Sequence, residues 1–122
     1  MKIVIIIFTL LLSFSCNKDC PQLIDSTCYS FDIRQCQTDS FSDAVPETDT
    51  RSDREIKMKA WLESKNIFLE KIRLEISFHD AVCEACHVCP QGDRYFIQEF
   101  GGGNIYDLDL LNLAEETCCD IF

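Results

Sequence analysis

Nine cysteines in 122 residues constrain this chain more than any other feature. Thiols at that density do not suit a reducing compartment, where they stay unpaired and reactive. They suit an oxidising one, where pairs become cross-links for a small core. The length allows one small domain and excludes a multidomain enzyme. A formal net charge of −10 excludes the basic footprint of a nucleic-acid-binding surface.

The N-terminus specifies the route to such a compartment. Lys2 precedes ten residues from Ile3 to Leu12, nine of them apolar, with Thr9 the exception. A settled transmembrane helix needs roughly 20 residues, so this run reads as the core of a secretory signal. The segment Leu12-Ser13-Phe14-Ser15-Cys16 that closes it resembles the lipobox of bacterial lipoproteins. In that family the cysteine is lipidated and becomes the first residue of the mature protein. Phe14 stands where the strict motif has a small residue. The resemblance covers only the first 19 residues and implies residues 1–15 as signal peptide, with Cys16 as the lipidation site. By the same analogy, Asn17 in the following position implies an outer-membrane anchor in the bacterial cell envelope. The alternative is an ordinary cleaved signal, with Cys16 drawn into a disulfide.

Removing residues 1–15 deletes one of 11 basic residues, Lys2, and none of 21 acidic ones, for a net of −11. Such a domain is repelled by anionic head groups and by nucleic acid alike. It is expected to stand in solvent on its tether.

Residues 16–52 read as lipid anchor and polar leader, with Cys20, Cys28 and Cys36 and the breakers Pro21 and Pro46. Within them, Tyr29 to Ile33 alternates apolar and polar and has the pattern of a strand. Thr38 to Asp53, rich in Ser, Thr and Asp, reads as a loop or tether, and its length argues for local disorder or for a long exposed excursion. Residues 53–122 read as the folded α+β unit. Ser52-Asp53-Arg54-Glu55 has capping-box spacing, and good helix formers continue to Lys65. Trp61 and Leu62 are the expected core contacts, and Asn66 suits a left-handed cap. Ile72, Leu74, Ile76 and Phe78 alternate with polar residues, as in a half-buried strand. Arg94 to Phe100 forms a second strand that Gly101-Gly102-Gly103 stops. Asn104 or Asp107 would cap a last helix through Leu108, Leu111 and Ala114. The expected order is helix, strand, cysteine-rich loop, strand, helix, around a short antiparallel sheet. Its core is small enough to need cross-links.

Eight cysteines follow Cys16: Cys20, Cys28, Cys36, Cys83, Cys86, Cys89, Cys118 and Cys119. All are disulfide candidates. Adjacent Cys118 and Cys119 should reach different partners, because a bond between neighbours closes a strained ring. One or both are expected to tie to the 83–89 loop, with the leader cysteines joined to the rest.

Three sharper chemistries compete for that loop. Cys83-Glu84-Ala85-Cys86-His87 matches the haem attachment motif C-x-x-C-H. However, it lies between strands, a third cysteine follows at once, and only Met58 and His79 offer sixth-ligand types. Cys83, Cys86 and Cys89, with His87 or Cys118, could supply four ligands to zinc or copper(I). Thiol exchange would want the pair at a helix N-terminus. Glu84 would raise its neighbour's pKa, the wrong direction. His79-Asp80 lacks the flanking signature of a catalytic pair, Gln91-Gly92-Asp93 is turn chemistry, and the glycine triplet lacks the Lys-Ser/Thr of a phosphate loop. The acid pairs Asp107/Asp109 and Glu115/Glu116 read as solvated.

The expected object is thus a non-catalytic, lipid-anchored envelope protein without a cofactor. It contacts the membrane through its anchor and does not bind nucleic acid. A protein partner, if there is one, is unspecified. The 83–93 loop is its best candidate binding surface. A metal- or haem-binding protein using Cys83, Cys86, His87 and Cys89 is the alternative.

Overall fold

The structure is a computed structural model that describes residues 26–80 and 83–122. Its elements run β1 (Thr27–Arg34), a 3-10 turn (Gln35–Gln37), α1 (Arg51–Ser64), β2 (Ile67–Glu75), β3 (Pro90–Gly102), a second 3-10 turn (Ile105–Asp107), β4 (Leu111–Glu116) and α2 (Cys118–Ile121). The strands form one antiparallel sheet in the order β2-β3-β1-β4.

The alternation in β1 decides its place. Tyr29, Phe31 and Ile33 point to the face covered by α1, while Cys28, Ser30 and Asp32 point to the other. Both faces are covered, so residues 28–33 are all buried. The strand that alternation predicts inside the polar leader is therefore a central strand of the fold. The division at residue 52 falls within the domain, not before it.

The 38–53 stretch is likewise packed and not a tether. Phe41 and Val45 are 2% and 4% exposed, and Phe41 sets its ring edge-on to Trp61 at 5.5 Å. These two apolar residues supply enough buried surface to hold a segment that otherwise reads as polar loop.

The cap of α1 lies two residues before the expected one. Thr50, not Ser52, is the N-cap, and its hydroxyl accepts the amide of Asp53. Arg54, Met58 and Leu62, four apart, form the buried line, whereas Trp61 packs against the core only in part. Asn66 does take the left-handed conformation, with φ 62°. The turn brings Asn66 against Gly102: a side chain there would place its first carbon 1.8 Å from the Asn66 carbonyl oxygen. Only glycine fits that approach.

β2 and β3 carry the two predicted strands. Bulges at 68–71 reset the register, and β2 ends at Glu75, which leaves Ile76 and Phe78 exposed rather than in line with Leu74. β3 starts at Pro90, so Gln91-Gly92-Asp93 lies in the strand. Tyr95 and Ile97 face the α1 side; Phe96, Gln98 and Phe100 face the other. The last helix is the largest correction. Asn104 does cap, accepting the amide of Tyr106, but it opens a single 3-10 turn. Residues 111–116 then pair with β1 as an edge strand. The pairing competes with helix formation and supplies the hydrogen bonds that β1 would otherwise leave unmade. The domain is α+β with an antiparallel sheet, as expected, but sheet dominates and the helices are few.

Three disulfides join described residues. Cys28–Cys118 closes 90 residues of separation, Cys36–Cys86 closes 50, and Cys83–Cys89 closes 6. Cys119 is also disulfide-bonded, and each of the other six described cysteines is taken. The adjacent pair thus reaches different partners, as expected. Cys118, however, goes to β1 and not to the 83–89 loop. Cys16 and Cys20 lie outside the described residues.

On chain-entropy grounds the two long closures should each stabilise by about 4 kcal/mol and the short one by about 2 kcal/mol. Replacing Cys28 and Cys118 together by alanine should therefore lower the denaturation free energy about twice as much as replacing Cys83 and Cys89. Guanidinium titrations of the two double variants measure this directly.

Candidate functional site

The disulfides sort to opposite ends of the sheet. Cys28 opens β1 and its partner Cys118 follows β4. Cys36, just past the other end of β1, holds Cys86, and Cys83–Cys89 closes the loop around it. An eight-residue strand separates these ends by roughly 26 Å.

The 83–89 loop is held by more than sulfur. The Gln35 amide donates to the Cys89 carbonyl at 3.1 Å, and Thr38 Oγ1 donates to the Cys86 carbonyl at 2.8 Å. Gln35 Nε2 donates to the Cys83 carbonyl. Inside the loop the Cys89 amide donates to the Ala85 carbonyl at 3.0 Å. Arg34 is the peg beneath. Its guanidinium donates to the His87 carbonyl at 2.9 Å, the Asp109 carbonyl at 2.8 Å, Asp109 Oδ1 at 3.0 Å and Asp39 Oδ1 at 2.9 Å. Three loops therefore meet on one side chain. Burial pushes the Asp39 carboxyl above the usual carboxylate range, against the pull of its bonds to Arg34. Glu84, Ala85, His87 and Val88 are left exposed, Val88 by 69%.

Cys83, Cys86 and Cys89 are therefore joined in disulfides in this structure, two through partners within the loop and one through Cys36. A thioether or a metal thiolate would use the same sulfur atoms. Among the described residues no group of three or more histidines, cysteines and carboxylates is placed to hold an ion.

A second constellation escaped the sequence reading. Asp32, in the middle of β1, has a side chain with no exposed surface. Its Oδ1 accepts from Arg94 Nε at 2.7 Å and lies 2.9 Å from His79 Nε2. Its Oδ2 accepts from Arg94 Nη2 at 3.0 Å and Asn112 Nδ2 at 2.8 Å. Arg94 comes from β3, Asn112 from β4 and His79 from the segment after β2. Desolvation raises the Asp32 pKa, but the bonds from Arg94, Asn112 and His79 outweigh it and hold the carboxyl below the usual range. His79 thus pairs with Asp32 and not with its neighbour Asp80. Phe78 closes the cluster: Arg94 lies 4.5 Å over its ring, and the ring meets His79 edge-on at 5.0 Å.

Chemically this is a satisfied carboxylate. All four of its contacts come from donors that brace neighbouring elements, and His79 Nε2 is committed to it. Ser30 and Asp32 read in the sequence as the solvent face of a strand. Only the return of residues 78–79 and 112 over that face, a tertiary event, makes Asp32 interior.

No family model, curated protein or solved structure matches the chain.

Burial also raises the carboxyls of Glu47 and Glu99. For a raised acid the folded state binds the extra proton, so stability grows as pH falls toward its folded pKa. For Asp32, whose folded pKa is depressed, stability is present above its unfolded pKa and is lost as pH falls through the folded one. Thermal melts should therefore rise as pH falls from neutrality through the titration of the raised carboxyls, and drop again at more acid pH as Asp32 is protonated. Asp32→Asn should lose about 3 kcal/mol at neutral pH and flatten the acid limb, because it strands Arg94 without its carboxylate.

Proposed function

We propose that this is a non-catalytic, lipid-anchored protein of the bacterial cell envelope whose rigid 83–89 loop is a binding surface. The carrying observation is the cross-linking: all seven described cysteines are disulfide-bonded. Thiols paired so completely fit an oxidising compartment, which is where the signal architecture would send the chain. The state of the polar groups supports the absence of catalysis. Asp32 is saturated by its donors, and the loop carbonyls are used to fasten the loop.

In this reading Cys16 carries the lipid. The leader then enters at the Cys28–Cys118 end, and the 83–89 loop stands at the opposite end, away from the membrane. Two disulfides and Arg34 prepay the ordering entropy that a flexible loop would lose on binding. Val88 would be the apolar contact at its tip, with His87 and Glu84 as polar rim. The partner is a protein or envelope surface able to cover that small mixed patch.

Cell fractionation tests the anchor. Parent protein should sediment with membranes and partition into detergent, and Cys16→Ser should appear soluble or stay as the unprocessed precursor. A variant that fractionates and migrates like the parent would remove the anchor from this reading.

A further inference from the structure

We propose that one end of the second sheet face, formed by Phe68, Phe100, Phe122 and Lys71, lies against the lipid bilayer that holds the anchor. This rests on the lipoprotein reading above and adds an orientation to it.

The face is the one opposite α1. Phe68 alternates with the buried Ile67 and Leu69, and Phe100 continues the line of Phe96 and Gln98. The two rings neighbour each other at 6.4 Å. Lys71, three residues beyond Phe68, sets its ammonium 5.6 Å from the centre of the Phe122 ring. Phe68 and Lys71 thus bring the two pairs to positions three residues apart along β2. Phe68, Phe100 and Phe122 are 42%, 53% and 41% exposed, although Phe96 on the same face is only 5% exposed. Isolated exposed rings need no explanation, but three in one strip with a cation mark a contact surface.

The place of the strip selects the occupant. In the β1–β3 register Thr27 pairs with Glu99, so Phe100 lies one residue beyond the start of β1. The leader therefore enters the domain beside the strip. Nine residues, 17–25, separate Cys16 from the first described residue, Ser26, a span of at most about 35 Å. A lipid at Cys16 then keeps this end of the domain at the interface. Aromatic rings bury in the boundary between head groups and acyl chains, and Lys71 can keep its ammonium among phosphates. The net negative charge opposes approach, but beyond about 10 Å it is screened at 0.1 M salt. Glu70, Glu99 and Asp120 are acidic residues close in sequence to the strip. Contact should therefore be clearest on zwitterionic lipid.

Depth-sensitive fluorescence tests this on the full, lipidated chain. Parent, Phe68→Trp, Phe100→Trp and Val88→Trp proteins are reconstituted into phosphatidylcholine vesicles with or without brominated acyl chains. The parent gives the Trp61 background. Each replaced side chain is well exposed, and intact masses with and without reductant check that every variant keeps its disulfides. Brominated lipid should quench the added signal of Phe68→Trp and Phe100→Trp about twofold, because only rings near the acyl chains meet bromine, and should leave Val88→Trp unchanged. Equal, absent quenching at all three positions in protein that floats with the vesicles would overturn the orientation and leave the anchor standing. Added tryptophans that are shielded without lipid and cross-link to a second copy would make the strip a dimer contact instead. Protein that does not float would overturn the anchor reading, and the orientation with it.

Discussion

A carboxylate with no exposed surface sits at the centre of this domain, and the sheet is arranged around its needs. An uncompensated charge at that depth would cost several kcal/mol. Asp32 is tolerated because Arg94 forks onto it from β3, Asn112 reaches it from β4, and His79 comes from beyond β2. Each donor belongs to a different part of the chain, so satisfying one side chain fixes the relative position of four. The cluster also explains why the second sheet face is covered. Phe78 and His79 must lie over Arg94 and Asp32 for the bonds to form.

The ends of the sheet are held by covalent bonds, with polar ones added at the 83–89 end. α1 and the 41–45 turn cover one face with a core centred on Phe31, Tyr95, Met58 and Leu62. The second face has a much smaller apolar cluster of Cys28, Phe96 and Ile121. Two disulfides therefore work where packing is thinnest: one beside Ile121, the other under the exposed 83–89 loop. Arg34 complements the latter by gathering three loops on one guanidinium. The result is a domain with a loop at one end of the sheet fixed by two disulfides and by Arg34.

Much of the local structure was legible in the residues, and the limits have physical causes. The alternation in Tyr29–Ile33, Ile72–Leu74 and Arg94–Phe100 identifies strands because burial on one face imposes a period of two. Asn66 announces its left-handed turn, and Asn104 its cap. The separation of Cys118 from Cys119 follows from ring strain alone. What could not be read was long-range. Leu108 to Ala114 has helical spacing, yet β1 offers an edge, and pairing with it outweighs local propensity. Phe41 and Val45 look isolated among polar residues because the surface that buries them comes from Trp61 and Tyr95. Asp32 looks like a solvent-facing acid because its donors lie 47 to 80 positions away. Connectivity among eight cysteines has 105 solutions, and only the sheet order selects among them.

The most direct measurement is the disulfide map of the protein purified from an oxidising compartment in a host that can attach haem. Stepwise partial reduction and alkylation, followed by mass spectrometry, would resolve the three cysteines of the 83–89 loop. The structure predicts Cys28 joined to Cys118, Cys36 to Cys86 and Cys83 to Cys89. Free thiols at Cys83, Cys86 and Cys89, or a haem adduct on the first two, would contradict it and make that loop a cofactor site.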